Sequence, residues 1–160
     1  MSPLRVHIAT DHAGMELSAH LIEHLGAQGY EMVDHGPKAY DAEDDYPAFC
    51  IHAAQAVVAD QGAGVAALGI VLGGSGNGEQ IAANKVKGVR AALAWNLETA
   101  KLAREHNDAN VVAVGGRQHS VREATGIIEA FLAEPFSNAE RHVRRIGKIS
   151  RFETTGKITG

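Results

Sequence analysis

Residues Gly73-Gly74-Ser75-Gly76-Asn77-Gly78-Glu79-Gln80 combine a run of glycines with a single acid. They follow the apolar run Leu68-Gly69-Ile70-Val71-Leu72 and precede Ile81-Ala82-Ala83-Asn84-Lys85. The apolar run predicts a buried strand, and the Ala-rich segment predicts a helix. A glycine loop at such a junction exposes several backbone N–H groups, which together with the helix dipole favour an anionic oxygen. Glu79 sets a carboxylate beside those donors. A base next to an oxyanion site is what proton abstraction alpha to a carbonyl requires. A plainer reading stands beside this one, because an acid in the first turn stabilises a helix through the dipole. That dipole holds the acid's pKa down, whereas burial in a dry pocket pushes it up. The glycines also fit a tight turn, and Ser75 and Asn77 suit helix capping. The loop is not a Walker loop, because no Gly-Lys-Ser/Thr follows. Gly74-x-Gly76-x-Gly78 lacks the dinucleotide spacing, and no clear acid ends the following strand.

Other residues offer polar chemistry. Asp11-His12 follows the first predicted strand, where the pair suits holding a sugar hydroxyl and transferring a proton, and Asp11 suits capping the first helix as well. His106-Asn107 ends a predicted helix, a position where a His also favours the dipole. Arg141, Arg145 and Lys148 share one helix face at i, i+4, i+7, with Arg144 beside them. Such a face is commonly just solvated, but guanidinium forks suit phosphate, and Arg117 at a strand end makes a phosphate clamp plausible. Cys50 falls on an apolar helix stripe and reads as core, not as a nucleophile. Of the nine histidines, His20, His24 and His52 read as surface residues.

The elements that must hold these groups alternate. Strands are predicted at Leu4 to Thr10, Tyr30 to Asp34, Ala66 to Leu72, Val89 to Ala94 and Val111 to Val114. The third is apolar throughout, as a central strand covered on both faces should be. Helices are predicted at Gly14 to Gln28, from Pro47 through Val58, from about Asn77, at Leu97 to Glu105, through Ala124 to Leu132, and at about 138–152. Gly29 stops the first helix, and Pro47 fits the first turn of the second. Between them, 35–46 is polar, with Asp41, Glu43, Asp44 and Asp45, and reads as a solvated loop. Residues 154–160 read as a frayed tail. This alternation means an α/β fold, a three-layer Rossmann-like sandwich on a five-stranded parallel sheet, in a single domain over 1–160. Ligands bind such sheets beyond the carboxyl ends of the strands. Asp11-His12, the glycine loop and Gly115-Gly116-Arg117 all fall on that rim, and His106 is expected to join them.

Composition narrows the classes. A net charge of -4 gives no hint of a nucleic-acid surface. No apolar run approaches a membrane span, and Met1-Ser2-Pro3-Leu4-Arg5 lacks the features of a signal peptide. With one cysteine and therefore no internal disulfide, a cytoplasmic protein is expected.

Taken together, Asp11-His12-Ala13-Gly14, Asp45-Tyr46-Pro47, Gly74-Ser75-Gly76-Asn77-Gly78-Glu79, Ile81-Ala82-Ala83-Asn84-Lys85, Arg104-Glu105-His106-Asn107, Gly116-Arg117 and Arg141-His142-x-x-Arg145 resemble the B-type ribose-5-phosphate isomerases. These belong to a wider group with galactose-6-phosphate isomerase subunits, and the motifs run in the family order across nearly the whole chain. The resemblance implies aldose-ketose isomerisation of a sugar phosphate through an enediolate, without metal or cofactor. It implies Glu79 as the proton carrier between C1 and C2. The N–H groups of Gly74, Ser75, Gly76, Asn77 and Gly78 would hold the enediolate oxygen, assisted by Ser75 Oγ. His106 would help open the furanose ring, with Asp11 sharing the task. Asp11, His12 and Asn107 would hold hydroxyls, Tyr46 would line the pocket, and Arg117, Arg141 and Arg145 would grip the phosphate. It also implies a homodimer, or a dimer of dimers, with sites between subunits. Many members carry a catalytic Cys where this chain has Gly73. The chain instead resembles the subgroup whose base is a Glu in the loop.

The residues leave two other readings open. One is the same chemistry on a four- or six-carbon sugar phosphate such as erythrulose, allose or galactose phosphate. The other, from a different class, is a nucleotide-binding regulatory module, which small doubly wound domains with glycine loops often are.

Overall fold

The computed structural model describes residues 2–160. Five strands form one parallel sheet in the order β2-β1-β3-β5-β4: β1 Arg5–Thr10, β2 Glu31–Asp34, β3 Ala67–Gly73, β4 Ala91–Leu93 and β5 Val111–Gly115. Six α-helices connect and extend them: α1 Met15–Ala27, α2 Tyr46–Gly62, α3 Asn77–Ala83, α4 Leu97–Asn107, α5 Val121–Ala133 and α6 Glu140–Thr155.

The two-residue alternation of the strands divides the core into layers. Val6, Ile8, Leu68, Ile70, Leu72, Val112 and Val114 face α1, α4 and α5. Ala9, Val71, Val111 and Ala113 face α2 and α3, meeting Cys50, Ala53, Ala54 and Val57. A right-handed crossover puts leftward and rightward chain moves on opposite faces of a sheet. From β1 the chain moves outward to β2, and from β3 it moves the other way to β4. The reversal opens a crevice between the carboxyl ends of β1 and β3. Asp11 follows β1 directly, and Gly73 ends β3.

Several boundaries differ from expectation for local reasons. The first helix begins with a 3-10 turn at His12–Gly14, capped by Asp11, before α1 starts at Met15. The fourth strand is shorter than Val89 to Ala94. Gly88 takes a left-handed φ of 90°, and the Arg90 N–H turns to Asn110 Oδ1 at 2.8 Å. The last helix runs over Glu140–Thr155 instead of about 138–152. Asn138 has φ 56°, which excludes it from the helix, and Gly156 at φ 71° provides the stop. Thr154 and Thr155 are therefore helical and not part of a frayed tail, their hydroxyls donating to Ser150 and Arg151 carbonyls.

Candidate active site

The crevice is built by close backbone packing. The Gly116 N–H donates to the Gly73 carbonyl at 2.7 Å, and the Arg117 N–H donates to the Gly74 carbonyl at 3.1 Å. A Cβ at Gly115 would lie 2.6 Å from the Ser75 carbonyl oxygen, so only glycine lets these two loops meet. Gly76 has φ 84°, and a Cβ there would lie 2.8 Å from Leu93 Cδ1. Both restrictions hold the glycine loop against the end of β5, with the Arg117 side chain lying over Gly74. Ser75 Oγ accepts from the Asn77 N–H at 3.2 Å and so shapes the start of α3. Opposite the loop, the Tyr46 hydroxyl packs on Gly78, where a Cβ would lie 2.4 Å from it.

Glu79 is buried, at 4 % exposure, in the first turn of α3. Its carboxyl occupies the space above Gly73: an ideal Cβ on Gly73 would stand 1.9 Å from Glu79 Oε1 and 2.2 Å from Cδ. Burial pushes the Glu79 pKa up, its own backbone N–H partly offsets this, and the neighbouring Asp11 carboxyl raises it further. The short α3, of seven residues, contributes little dipole against that burial. An acid tuned upward in a dry crevice is suited to accept and return a proton near neutral pH. Asp11 is itself buried, and its Oδ1 accepts from the Ala13 N–H at 2.8 Å, so it is both a cap and a wall of the crevice. Cys50 lies behind the two acids. Burial first, then the Glu79 and Asp11 charges, push its thiol up to about 12, which leaves it a core residue.

His12 lines the same rim. Its Nδ1 is 2.8 Å from Asp44 Oδ1, and the Tyr40 ring meets the imidazole edge-on. Asp44 therefore departs from the solvated loop expected for 35–46. Its side chain is only 8 % exposed, and its Oδ2 is buried without a protein partner. Four acids in a loop of twelve residues carry no sign of which one turns inward; only the fold, by closing the loop over His12, selects Asp44.

The structure divides the remaining candidates from this group. Helix α4 runs back against the strands, so His106 and Asn107 lie at the amino ends of β4 and β5 and not on the rim where His106 was expected. The Asn107 carbonyl accepts from Arg90 Nε at 2.8 Å, and Arg90 immediately precedes β4. Four residue steps along β5 separate that end from the rim by roughly 13 Å. At this lower end the His106 ring packs against that of His142, tilted by 33°, with centroids 4.2 Å apart. Burial first, then the positive charges nearby, lower the His142 pKa. Its Nδ1 is 2.8 Å from Ser137 Oγ. Arg141 and Arg145 flank His142 on α6, exposed, and among the described residues neither forms an ion pair.

One end of the sheet thus carries Asp11, His12, Tyr46, the glycine loop, Glu79 and Arg117, and the other carries His106, Asn107, Arg141 and Arg145. Among the described residues no cluster of three or more His, Cys, Asp or Glu side chains could hold a metal ion. Among the described residues no helix is long and apolar enough to cross a membrane.

A model of the Ribose/Galactose Isomerase family matches residues 6–149. The chain belongs to that family. Its relatives within it include ribose-5-phosphate isomerase B of Mycobacterium tuberculosis, 57% identical over 97% of this chain and 93% of the other. A putative sugar phosphate isomerase of Bacillus subtilis is 38% identical over 94% of this chain and 97% of the other. Among solved structures, ribose-5-phosphate isomerase B of Mycoplasma genitalium with bound ribulose-5-phosphate superposes with a TM-score of 0.90. It is 41% identical and covers 97% of this chain and 99% of its own. The Trypanosoma cruzi type B enzyme superposes at 0.88 with 41% identity over 97% of this chain and 99% of its own.

Proposed function

We propose that this chain interconverts D-ribose 5-phosphate and D-ribulose 5-phosphate, acting over its whole length as one isomerase domain in the cytoplasm. The observation that carries the proposal is the Glu79 carboxyl, buried with a raised pKa, seated in the space that Gly73 leaves beside a glycine loop. In the forward direction the Glu79 carboxylate takes the proton from C2 as the aldehyde becomes an enediolate and returns it to C1, while the C2 hydroxyl proton passes to the C1 oxygen, which gives the ketose. Ring opening comes first: His106, with Asp11, moves a proton between the anomeric hydroxyl and the ring oxygen. The N–H groups of Gly74 to Gly78 and Ser75 Oγ stabilise the developing oxyanion. Asp11, His12 and Asn107 hold the hydroxyls, Tyr46 lines the pocket, and Arg117, Arg141 and Arg145 take the phosphate. The carbon proton moves through Glu79 and the ring-opening proton through His106 and Asp11, so the proposed scheme calls for no metal or cofactor.

This scheme needs both ends of the sheet at one substrate. A single chain keeps them apart, whereas a two-fold pair of chains lets the lower end of each meet the rim of the other. The exposed Ile149 and Phe152 on α6 support such a pairing, as they leave apolar surface on the same helix face as Arg141 and Arg145. The working unit is accordingly a homodimer, or a dimer of dimers. The base is Glu79 and not a thiolate, since a side chain at position 73 and the Glu79 carboxyl compete for one volume.

Glu79→Gln tests the assignment. The variant should bind ribose 5-phosphate, lose roughly 10³-fold in kcat, and fail to exchange the C2 proton with solvent. Normal exchange in that protein would sink Glu79 as the base. Comparing kcat/KM for four-, five- and six-carbon sugar phosphates tests the chain length, and preference for another length would displace ribose 5-phosphate.

A further inference from the structure

We infer that His7 and His35 form an acid-released latch, whose contact ties the loop between β2 and α2 to the sheet and lets go when both rings are protonated. Neither residue takes part in the proposed chemistry. Strand alternation sends Val6 and Ile8 to the core beneath α1, and so turns Arg5 and His7 toward α2. His7 is buried at 5 % exposure, and both its ring nitrogens are engaged. Nε2 is 2.6 Å from Asp60 Oδ2 on α2, and Nδ1 is 2.8 Å from His35 Nε2. Asp60 Oδ1 accepts from Arg5 Nη1 at 3.0 Å, and Arg5 Nε is 3.1 Å from Glu31 Oε2. Five titratable side chains thus run in file from Glu31 to His35.

Counting protons shows why the contact is sensitive to acid. Two ring nitrogens 2.8 Å apart need one proton between them. With none, two lone pairs face each other; with two, two N–H hydrogens compete for one gap. The bridging proton can belong to either ring. If His7 donates, His35 accepts at Nε2 and is neutral; if His35 donates, His7 accepts at Nδ1 and is neutral. In both cases the pair carries at most one positive charge while the contact stands. The surrounding charges favour this arrangement. Burial first, then the His7 charge, lower the His35 pKa; Asp34 opposes them and His52 adds to them. The His7 contact holds the Asp60 pKa down, burial opposes it, and Arg5 lowers it further. Asp60 therefore stays ionised where histidines titrate. Strand β3, the other neighbour of β1, has no titratable residue, and α1 lies on the opposite face of the sheet.

The latch sits where the loop leaves the sheet. The His35 N–H donates to the Ile8 carbonyl at 2.8 Å, and the Thr10 N–H donates to the Gly36 carbonyl at 3.0 Å. Beyond them the loop carries Tyr40 and Asp44 against His12 and leads into Tyr46 on Gly78. A closed loop that excludes one proton is favoured above the ordinary histidine pKa and loses ground as pH falls through it. At pH 5 a free histidine favours its charged form by about 30-fold, and at pH 7 it does not.

Amide hydrogen exchange of the free protein reads the latch without turnover, at Thr10, His35 and Asp44. Wild type and His35→Gln are compared at the same pH, which cancels the intrinsic pH dependence of exchange. Glutamine offers His7 Nδ1 either a donor or an acceptor and has no titrating proton. The two proteins should be protected alike at pH 7, and wild type should fall below His35→Gln by at least roughly tenfold at pH 5. His7→Gln, a second variant that breaks the pair from the other side, should match His35→Gln. Protection that depends on pH identically in wild type and the variants overturns the inference. So does a wild-type protein that keeps its relative protection at pH 5. In kinetics, which rest on the sugar-phosphate reading, the wild-type KM for ribose 5-phosphate should rise above that of His35→Gln at pH 5.5 and equal it at pH 7.5. Absence of any turnover would refute that reading and leave exchange to decide this one.

Discussion

Gly73→Ala adds one methyl group at the point where the proposed mechanism is most exposed to damage. The new Cβ would stand 1.9 Å from Glu79 Oε1, 2.2 Å from Cδ and 2.6 Å from Oε2. Ordinary contact begins near 3.4 Å, so the nearer oxygen must retreat by about 1.5 Å. Misplacing a reacting group by 1 Å costs on the order of 10²-fold in rate. A loss of at least roughly 100-fold in kcat/KM is therefore expected, equivalent to about 2.7 kcal/mol of transition-state stabilisation. Stability should suffer less. The clash falls on the free end of a side chain and not on backbone, and overpacking of this kind typically costs about 1–3 kcal/mol. The assay is steady-state isomerisation of ribose 5-phosphate, run beside solvent exchange at C2 and a thermal melt. Exchange and isomerisation should fall together while the protein stays folded. A Gly73→Ala protein that keeps kcat/KM within about threefold of wild type would refute the reasoning, because a carboxyl displaced that far cannot be the working base where it now sits.

Further expectations concern assembly and stability. If the two ends of the sheet meet across a two-fold axis, Glu79→Gln and Arg141→Ala proteins, each nearly inactive, should complement when unfolded and refolded together. Random pairing would restore about a quarter of wild-type activity, from the one intact site in each mixed dimer; no recovery would argue that both ends serve a site within one chain. Glu79 also sets a pH dependence. Its folded pKa is raised, so its contribution to stability is present below the ordinary glutamate value and lost as pH rises through the folded one. Glu79→Gln should therefore melt higher than wild type at pH 8, by roughly 2–4 °C per kcal/mol gained for a chain of this size. That advantage should shrink toward pH 4, and an advantage that instead grew at low pH would contradict the sign of the shift.

The parallel sheet was legible because its strands are short apolar runs separated by helix-length amphipathic segments, and the reversal of direction after β3 follows from chain connectivity once the order is known. The rim was legible too: Asp11, the glycine loop and Arg117 each directly follow a strand. What sequence could not supply was the third dimension of the return helices. His106 was expected on the rim, yet its helix runs the length of the sheet and delivers it to the other end. Nor does any pattern weigh opposing influences on one group. Dipole and burial act on Glu79 in opposite directions, and only the depth of the crevice decides between them. Asp44 was hidden for a related reason, as an acid in a polar loop looks solvated until the loop is seen to close over a ring.

The volume shared by Gly73 and Glu79 also bears on how this protein meets oxidants. A site whose base is a carboxylate offers electrophiles and peroxides no thiolate to attack. The single thiol of the chain, in Cys50, is fully buried and held at a pKa of about 12, so it is neither exposed nor ionised. Oxidative stress that silences a thiol-dependent enzyme would leave this chemistry running. Alkylation of Cys50 would instead report how often the layer beneath α2 opens.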